Sequence, residues 1–362
     1  MKILLIGEYS NVHATLAEGL RALGHHVTVV SDGDGWKNYS RDIDVSRTPG
    51  KLGGILLMAR LYMLLSKLRG YDVVQLINPM FFELKAERLF WFYNYLRKHN
   101  KKVFLGAFGM DYYWVHECTY KKPLRYSDFN FGNQVRTDDA ARIEQDDWLN
   151  TAKERLNKMI AENCDGIVTG LYEYQVCYQP HFPDKTQFIP FPIVPIDSAN
   201  SINFVSPINI FVGISKNRSA YKGTDIMLKA AEDVAARYIE QVTLKVAEGV
   251  PFAQYEKMLN ESDVLLDQLY SYTPAMNALL AMSKGIIVVG GGEPENYEII
   301  QETELRPIIN VEPTYESVYQ ELEKLVLHPE RIPELKQQSI EYIKKHHDYV
   351  KVAMQYLDLW NR

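Results

Sequence analysis

The opening thirty residues restrict the fold more than any other stretch. Lys2–Ile6 (KILLI) reads as a strand buried on both faces. Gly7 ends it, and residues 8–12 form a short loop. From His13 to Leu23 the spacing turns helical, with Ala14, Leu16, Ala17, Leu20 and Leu23 on one face. Gly24 suits the left-handed residue that closes a helix. Val27–Val30 (VTVV) is a second strand. A strand–helix–strand unit of this kind dictates a parallel sheet with helices packed on its faces.

The same alternation continues. Strands are expected over Tyr71–Ile77, Lys102–Ala107, Asp165–Thr169 and Thr186–Ile189, and a helix over Glu83–His99. Ile55–Leu68 is a helix read as buried core, with a membrane-surface helix as the alternative. Arg60 and Lys67 interrupt it, and it is shorter than the ~20 residues a span needs. Tyr112–Asp147 is polar, aromatic and without a clear period. Pro190–Pro207 carries four prolines and reads as an interdomain linker.

After it the alternation restarts. Strands are expected at Ile208–Val212, Thr243–Ala247, Asp263–Asp267 and Ile286–Val289. Helices are expected at Asp225–Ala236, Phe252–Asn260, Met276–Met282, Glu316–Val326, Ile332–Lys345 and Tyr349–Trp360. The expected fold is therefore α/β, with two Rossmann-like doubly wound domains facing across a cleft. Residues 1–195 form the first and 196–348 the second, and 349–362 pack back on the first. Ligands of such sheets bind beyond the carboxyl ends of the strands, so the site is expected between the domains.

Composition narrows the partners. The net charge of −6 argues against a nucleic-acid ligand, which needs a basic footprint. Three cysteines, an odd number without metal-ligand spacing, fit a reducing compartment, with the cytoplasm as the expected location and the inner face of the membrane as the alternative. The N-terminal apolar run is too short for a signal peptide. HExxH, CxxC, GxSxG, GxGxxG and GxxxxGK[ST] patterns are missing, so neither a metal nor a dinucleotide cofactor is expected.

The chemistry-bearing residues gather at strand ends. In GISKNRSAYKGTD (213–225), Arg218 and Lys222 bracket a turn, and Gly223 opens a helix. A guanidinium fork, an ammonium group and a helix mouth together suit a diphosphate, although a solvated loop reads the same way. In YTPAMN, Thr273 is expected to cap a helix whose first residue is Pro274, freeing the amides of Ala275, Met276 and Asn277 for an anion; a plain capped helix is the alternative. Gly290, Gly291 and Gly292 follow a strand and admit close backbone approach. Glu293, Glu295 and Glu298 come next as acceptors for sugar hydroxyls. In the first half, His13 can donate to a hydroxyl or phosphate. Asp111, in FGMD after a strand, either activates an acceptor hydroxyl or caps the next turn.

With these residues in place, the chain resembles the retaining GT-B glycosyltransferases of family 4. GHHVTVVS and FGMD resemble the family's GHxVxV and HGSD regions, with Phe108 where the family has His. KNRSAYKGTD resembles SNRxxKGTD. LLAMSKGIIVVGG resembles EAMAxGxPVV. The resemblance implies transfer of a hexose-type sugar from a nucleotide-diphosphate donor to a glycan or lipid-linked acceptor, without a metal. It places Arg218 and Lys222 on the diphosphate as catalytic cations. Gly223, Val250, Ala275, Met276, Asn277, Gly291, Gly292 and Glu298 would bind donor, Val250 near the base. Gly7, His13 and Asp111 would face the acceptor side. The family's paired glutamates (EX7E) are not retained: the second aligns with Leu280 and the first with Tyr272 or Thr273. A sugar-nucleotide epimerase and a non-catalytic scaffold subunit are the rival readings.

Overall fold

The computed structural model describes residues 1–196, 202–214 and 222–362, apart from the side chain of Phe252. It divides into two compact units. The first comprises Met1–Leu124, Thr137–Pro192 and Tyr349–Arg362; the second comprises Arg125–Arg136 and Ile193–Asp348.

In the first unit, β1 (Lys2–Ile6), α1 (Val12–Ala22) and β2 (His26–Ser31) build the opening motif. There follow β3 (Ile43–Asp44), α2 (Gly50–Leu64), β4 (Val73–Leu76), α3 (Ala86–His99), β5 (Lys102–Ala107) and α4 (Tyr112–His116). A ribbon of β6 (Asn130–Phe131) and β7 (Gln134–Val135) belongs to the second unit. The first resumes with α5 (Asp139–Trp148), α6 (Ala152–Asn163), β8 (Gly166–Thr169), α7 (Tyr172–Tyr178) and β9 (Thr186–Phe188). Its sheet has the order β3-β2-β1-β4-β5-β8-β9 and all its pairings are parallel. Ile3–Ile6 and Val73–Leu76 are buried throughout because helices cover both faces. Tyr112–Asp147, featureless by periodicity, resolves into α4, a following π turn, the ribbon and most of α5.

The second unit contains β10 (Ile208–Ile214), α8 (Thr224–Arg237), β11 (Val242–Glu248), α9 (Phe252–Asn260), β12 (Val264–Leu266), α10 (Met276–Ser283) and β13 (Ile287–Val289). Helices α11 (Pro294–Ile299), α12 (Tyr315–Leu327) and α13 (Ile332–Tyr342) complete it. The strand order is β11-β10-β12-β13, again parallel. Val212, Leu266 and Val289 from the strands pack with Met227 and Val234 of α8 and Leu322 of α12.

Two boundaries differ from the sequence expectation. The chain passes to the second unit at Ile193, because the Ile193 amide donates to the His347 carbonyl (2.7 Å), inside the proline-rich stretch. Arg125–Arg136, expected in the first domain, belongs to the second. Phe131 meets the Tyr270 ring edge-on at 5.2 Å, and the Arg136 guanidinium lies over the same ring at 4.8 Å.

The last helix, α14 (Tyr349–Asn361), packs on α1 in the first unit and buries Val352, Ala353, Tyr356 and Trp360. Gly19 makes that contact close: a Cβ there would lie 2.3 Å from the Tyr349 carbonyl oxygen. Alanine in mid-helix normally gains ~1 kcal/mol over glycine, whereas overpacking against backbone costs ~1–3 kcal/mol. Gly19→Ala is therefore expected to lower stability by up to ~2 kcal/mol, read as a lower urea midpoint and melting temperature.

Candidate functional site

In the second unit, successive connections leave β10 first toward β11 and then toward β12. The sheet thus reverses direction of growth between β10 and β12, and open α/β sheets bind ligands beyond the carboxyl ends of the strands at such a point. Lys222 and Gly223 stand there, at the mouth of α8. The Lys222 carbonyl accepts from the Leu269 amide (2.9 Å). Gly223 has φ +69° and precedes the helix, and a Cβ on it would meet Leu269 Cβ at 2.7 Å. Only glycine satisfies both the dihedral and the approach.

Asp267 follows β12 and is buried. Its Oδ1 accepts from Asn277 Nδ2 (2.9 Å), and Asn277 Oδ1 in turn accepts from the Tyr255 hydroxyl (3.0 Å). Burial raises the Asp267 carboxyl above its ordinary range, and the Lys222 charge opposes that rise. A cation, a buried carboxylate and a linked amide thus share one strand edge. Arg218 lies outside the described residues.

α10 begins at Met276, with Ala275 as an N-cap in extended conformation that has no side-chain cap. The expectation that Thr273 caps a helix starting at Pro274 is corrected: the Thr273 carbonyl instead accepts from the Ser271 hydroxyl (2.6 Å). The helix starts two residues later than expected, and the amides of Met276, Asn277 and Ala278 form its open first turn. Gly290 and Gly291 adopt φ +98° and +74°. A Cβ would sit 2.4 Å from the Gln268 carbonyl at Gly290, 3.2 Å from the Thr273 carbonyl at Gly291 and 2.8 Å from Ile308 Cγ2 at Gly292. The glycine loop therefore approaches the loop after β12 closely. Val250 lies in the loop after β11, next to Gly249 at φ +63°.

Of the three acidic residues after the glycines, Glu298 is exposed near the end of α11, and among the described residues no hydrogen bond or ion pair brings it to the Lys222–Asp267–Asn277 set. Glu293 is buried and bound by the segment 125–136. Arg125 Nη2 pairs with Glu293 Oε2 (2.6 Å), and the Tyr126 hydroxyl donates to Glu293 Oε1. Arg125 also pairs with Glu295, and its amide donates to the Tyr272 hydroxyl (2.8 Å). Sequence reasoning missed this anchoring because partners about 150 residues apart leave no local period.

In the first unit, the sheet reverses between β1 and β4. Gly7 has φ +85° there, and a Cβ would lie 2.2 Å from Ile77 Cγ2. His13 is fully buried. Its Nδ1 donates to the Gly7 carbonyl (2.8 Å), and burial lowers its pKa to about 3. The ring is therefore neutral near pH 7, and Nε2 is an acceptor with no partner among the described residues. It can accept from a hydroxyl rather than donate to one. Glu8, missed at the sequence level, accepts from the amides of His13 (3.3 Å) and Ala14 (2.8 Å), and burial raises its pKa to about 7. A carboxylate just before a helix start was the available signal.

Asp111 is a cap rather than an exposed base. Its Oδ1 accepts from the Trp114 amide (2.9 Å) and its Oδ2 from the Tyr178 hydroxyl (2.8 Å), and the residue has no exposed surface. Burial raises its pKa from 3.8 to about 7.

No protein-family model matches the chain, and no curated protein does. Solved structures do. Sucrose-phosphate synthase from Thermosynechococcus elongatus aligns with TM-score 0.63 and 13% identity, over 100% of this chain and 98% of that one. Anabaena HepE in complex with UDP and glucose aligns with TM-score 0.62 and 12% identity, over 99% and 98%. A UDP-N-acetylglucosamine 2-epimerase from Listeria monocytogenes, so described with reserve in its own designation, aligns with TM-score 0.55 and 12% identity, over 99% and 95%. The fold is GT-B. Identities this low establish architecture and leave the reaction to be argued from the site.

Two outcomes test this geometry. Tyr126→Phe removes a hydrogen bond to a buried carboxylate and is expected to cost ~1.5–3 kcal/mol, measured by urea unfolding. Asp111 releases its proton near pH 7 when folded and near 3.8 when unfolded. The folded state binds the extra proton between those values, so this group lowers stability as pH rises through that window. Asp111→Asn removes the dependence; unfolding curves across the window should fall less steeply with pH than those of the wild type.

Proposed function

We propose that this GT-B chain transfers a hexose-type sugar from a nucleotide-diphosphate sugar to a glycan or lipid-linked acceptor, with retention at the anomeric carbon and without a metal. One observation carries the reading: the Lys222 main chain is held at the N-terminus of α8 beside the loop after β12, and its charge acts on Asp267, which is bonded to Asn277. A fixed cation at a helix mouth neutralises a leaving diphosphate without reorganising.

In this reading Lys222 and Arg218 hold the diphosphate as the bond from the anomeric carbon to its oxygen breaks. The new bond forms to an acceptor hydroxyl on the same face, and that hydroxyl's proton passes to the departing diphosphate oxygen. The amides at Met276, Asn277 and Ala278 support the phosphates, Gly291 and Gly292 line the donor's path, and Val250 borders the base. Gly7 and the unpartnered Nε2 of His13 mark the acceptor side, where a sugar hydroxyl would supply the missing donor. HepE bound to UDP and glucose supports a nucleotide-sugar ligand for this fold. The paired glutamates are not retained, whereas Asp267 is a buried carboxylate bonded to Asn277 and acted on by the Lys222 charge.

Lys222→Ala and Arg218→Ala are each expected to reduce turnover by well over tenfold, on the order of 3 kcal/mol of lost transition-state stabilisation. Release of nucleoside diphosphate, followed by coupled assay over a panel of donor sugars, measures it. Unchanged turnover in both variants would reject the assignment. The epimerase-like neighbour favours one rival. It predicts an isomerised sugar when donor is incubated without acceptor, where the transferase predicts only unchanged donor or slow hydrolysis.

A further inference from the structure

The second helix of the first unit is apolar on two sides. Gly53, Leu57 and Leu61 are buried against the unit. Leu52, Ile55, Leu56 and Met63 are 74%, 66%, 62% and 75% exposed. At about 100° per residue, these four share one arc of α2, nearly opposite the buried stripe. Lys51 and Arg60, both exposed, fall on either side of that arc. Solitary exposed leucines are ordinary, but four large apolar side chains on one face mark an interaction surface.

Charge selects the partner. The chain as a whole carries −6, yet residues 45–71 hold Arg47, Lys51, Arg60, Lys67 and Arg69 and not one Asp or Glu. Aromatic rings adjoin the helix: exposed Tyr62 lies 5.1 Å from exposed Trp91, which stacks on Tyr95 at 5.6 Å. Trp and Tyr favour the boundary between water and lipid headgroups, and basic side chains favour anionic headgroups. No helix of the described residues is long and apolar enough to cross a membrane.

We infer that this face of α2 lies on the surface of an anionic lipid bilayer, with Leu52, Ile55, Leu56 and Met63 entering the headgroup boundary and the flanking cations on lipid phosphates. The inference stands apart from the reaction, since none of these residues belongs to the donor or acceptor set.

Co-sedimentation of the full chain with vesicles tests it. Binding is expected to phosphatidylcholine vesicles containing phosphatidylglycerol, and far less to pure phosphatidylcholine or at high salt, because screening weakens surface attraction. Ile55→Glu with Met63→Glu, and separately Lys51→Glu with Arg60→Glu, should each lower the bound fraction roughly tenfold or more. Both pairs are exposed, so circular dichroism and melting temperature should match the wild type; Ile55→Ser offers a milder change to the same face. Donor turnover with a water-soluble acceptor should be unaltered. Wild-type protein that ignores anionic vesicles, or variants that bind as well as it does, would overturn the inference. So would a wild-type dimer that Ile55→Glu converts to monomer without any vesicle binding, which would assign the face to a second copy of the chain.

Discussion

Parallel pairing at the first strand of each unit's main sheet is the constraint on which the remaining structure rests. β1 is flanked by β2 and β4, and β10 by β11 and β12. Once a strand is paired in parallel on both sides, every return must cross a face of the sheet, and helices bury both faces. All carboxyl ends then share one edge. Gly7, His13 and Asp111 in the first unit, and Lys222, Asp267 and Gly290 in the second, occupy such edges because the chain leaves each strand there.

Close packing at those edges explains the local chemistry. Gly7, Gly223 and Gly290 each combine positive φ with a neighbour closer than a Cβ allows. Loops drawn this tight exclude water, and exclusion moves protons: His13 stays neutral, while Glu8 and Asp111 hold theirs to about pH 7. The same burial distinguishes the two carboxylates of greatest interest. Asp111 spends both oxygens on a helix cap and a tyrosine, whereas Asp267 lies beside a cation.

Much of the architecture was legible because it is periodic. KILLI, VTVV, INIFV and IIVV mark interior strands by apolar runs, and most helices fell within a few residues of their observed bounds. The cation at a helix mouth was legible too, since Lys222 and Gly223 adjoin in sequence. What escaped was non-local. Nothing near Arg125 or Tyr126 announces Glu293, and nothing near Asn277 announces Tyr255. The Thr273 cap failed because the helix begins two residues later, at Met276 with Ala275 as its N-cap. His13 was read as a donor, but its Nδ1 is spent on the Gly7 carbonyl and burial keeps the ring neutral.

The small segment Arg125–Arg136 has a further consequence for how the protein is assembled. The chain changes units at 124/125, 136/137, 192/193 and 348/349, so neither unit is a continuous piece of polypeptide. During synthesis the ribbon emerges well before the strands it accompanies, and its partners Tyr272 and Glu293 arrive only after some 150 further residues. The second unit cannot be completed from its own half of the gene, nor the first without its last helix. A cut between residues 192 and 193 would therefore part each unit from a piece of itself: the second from Arg125–Arg136, the first from Tyr349–Arg362.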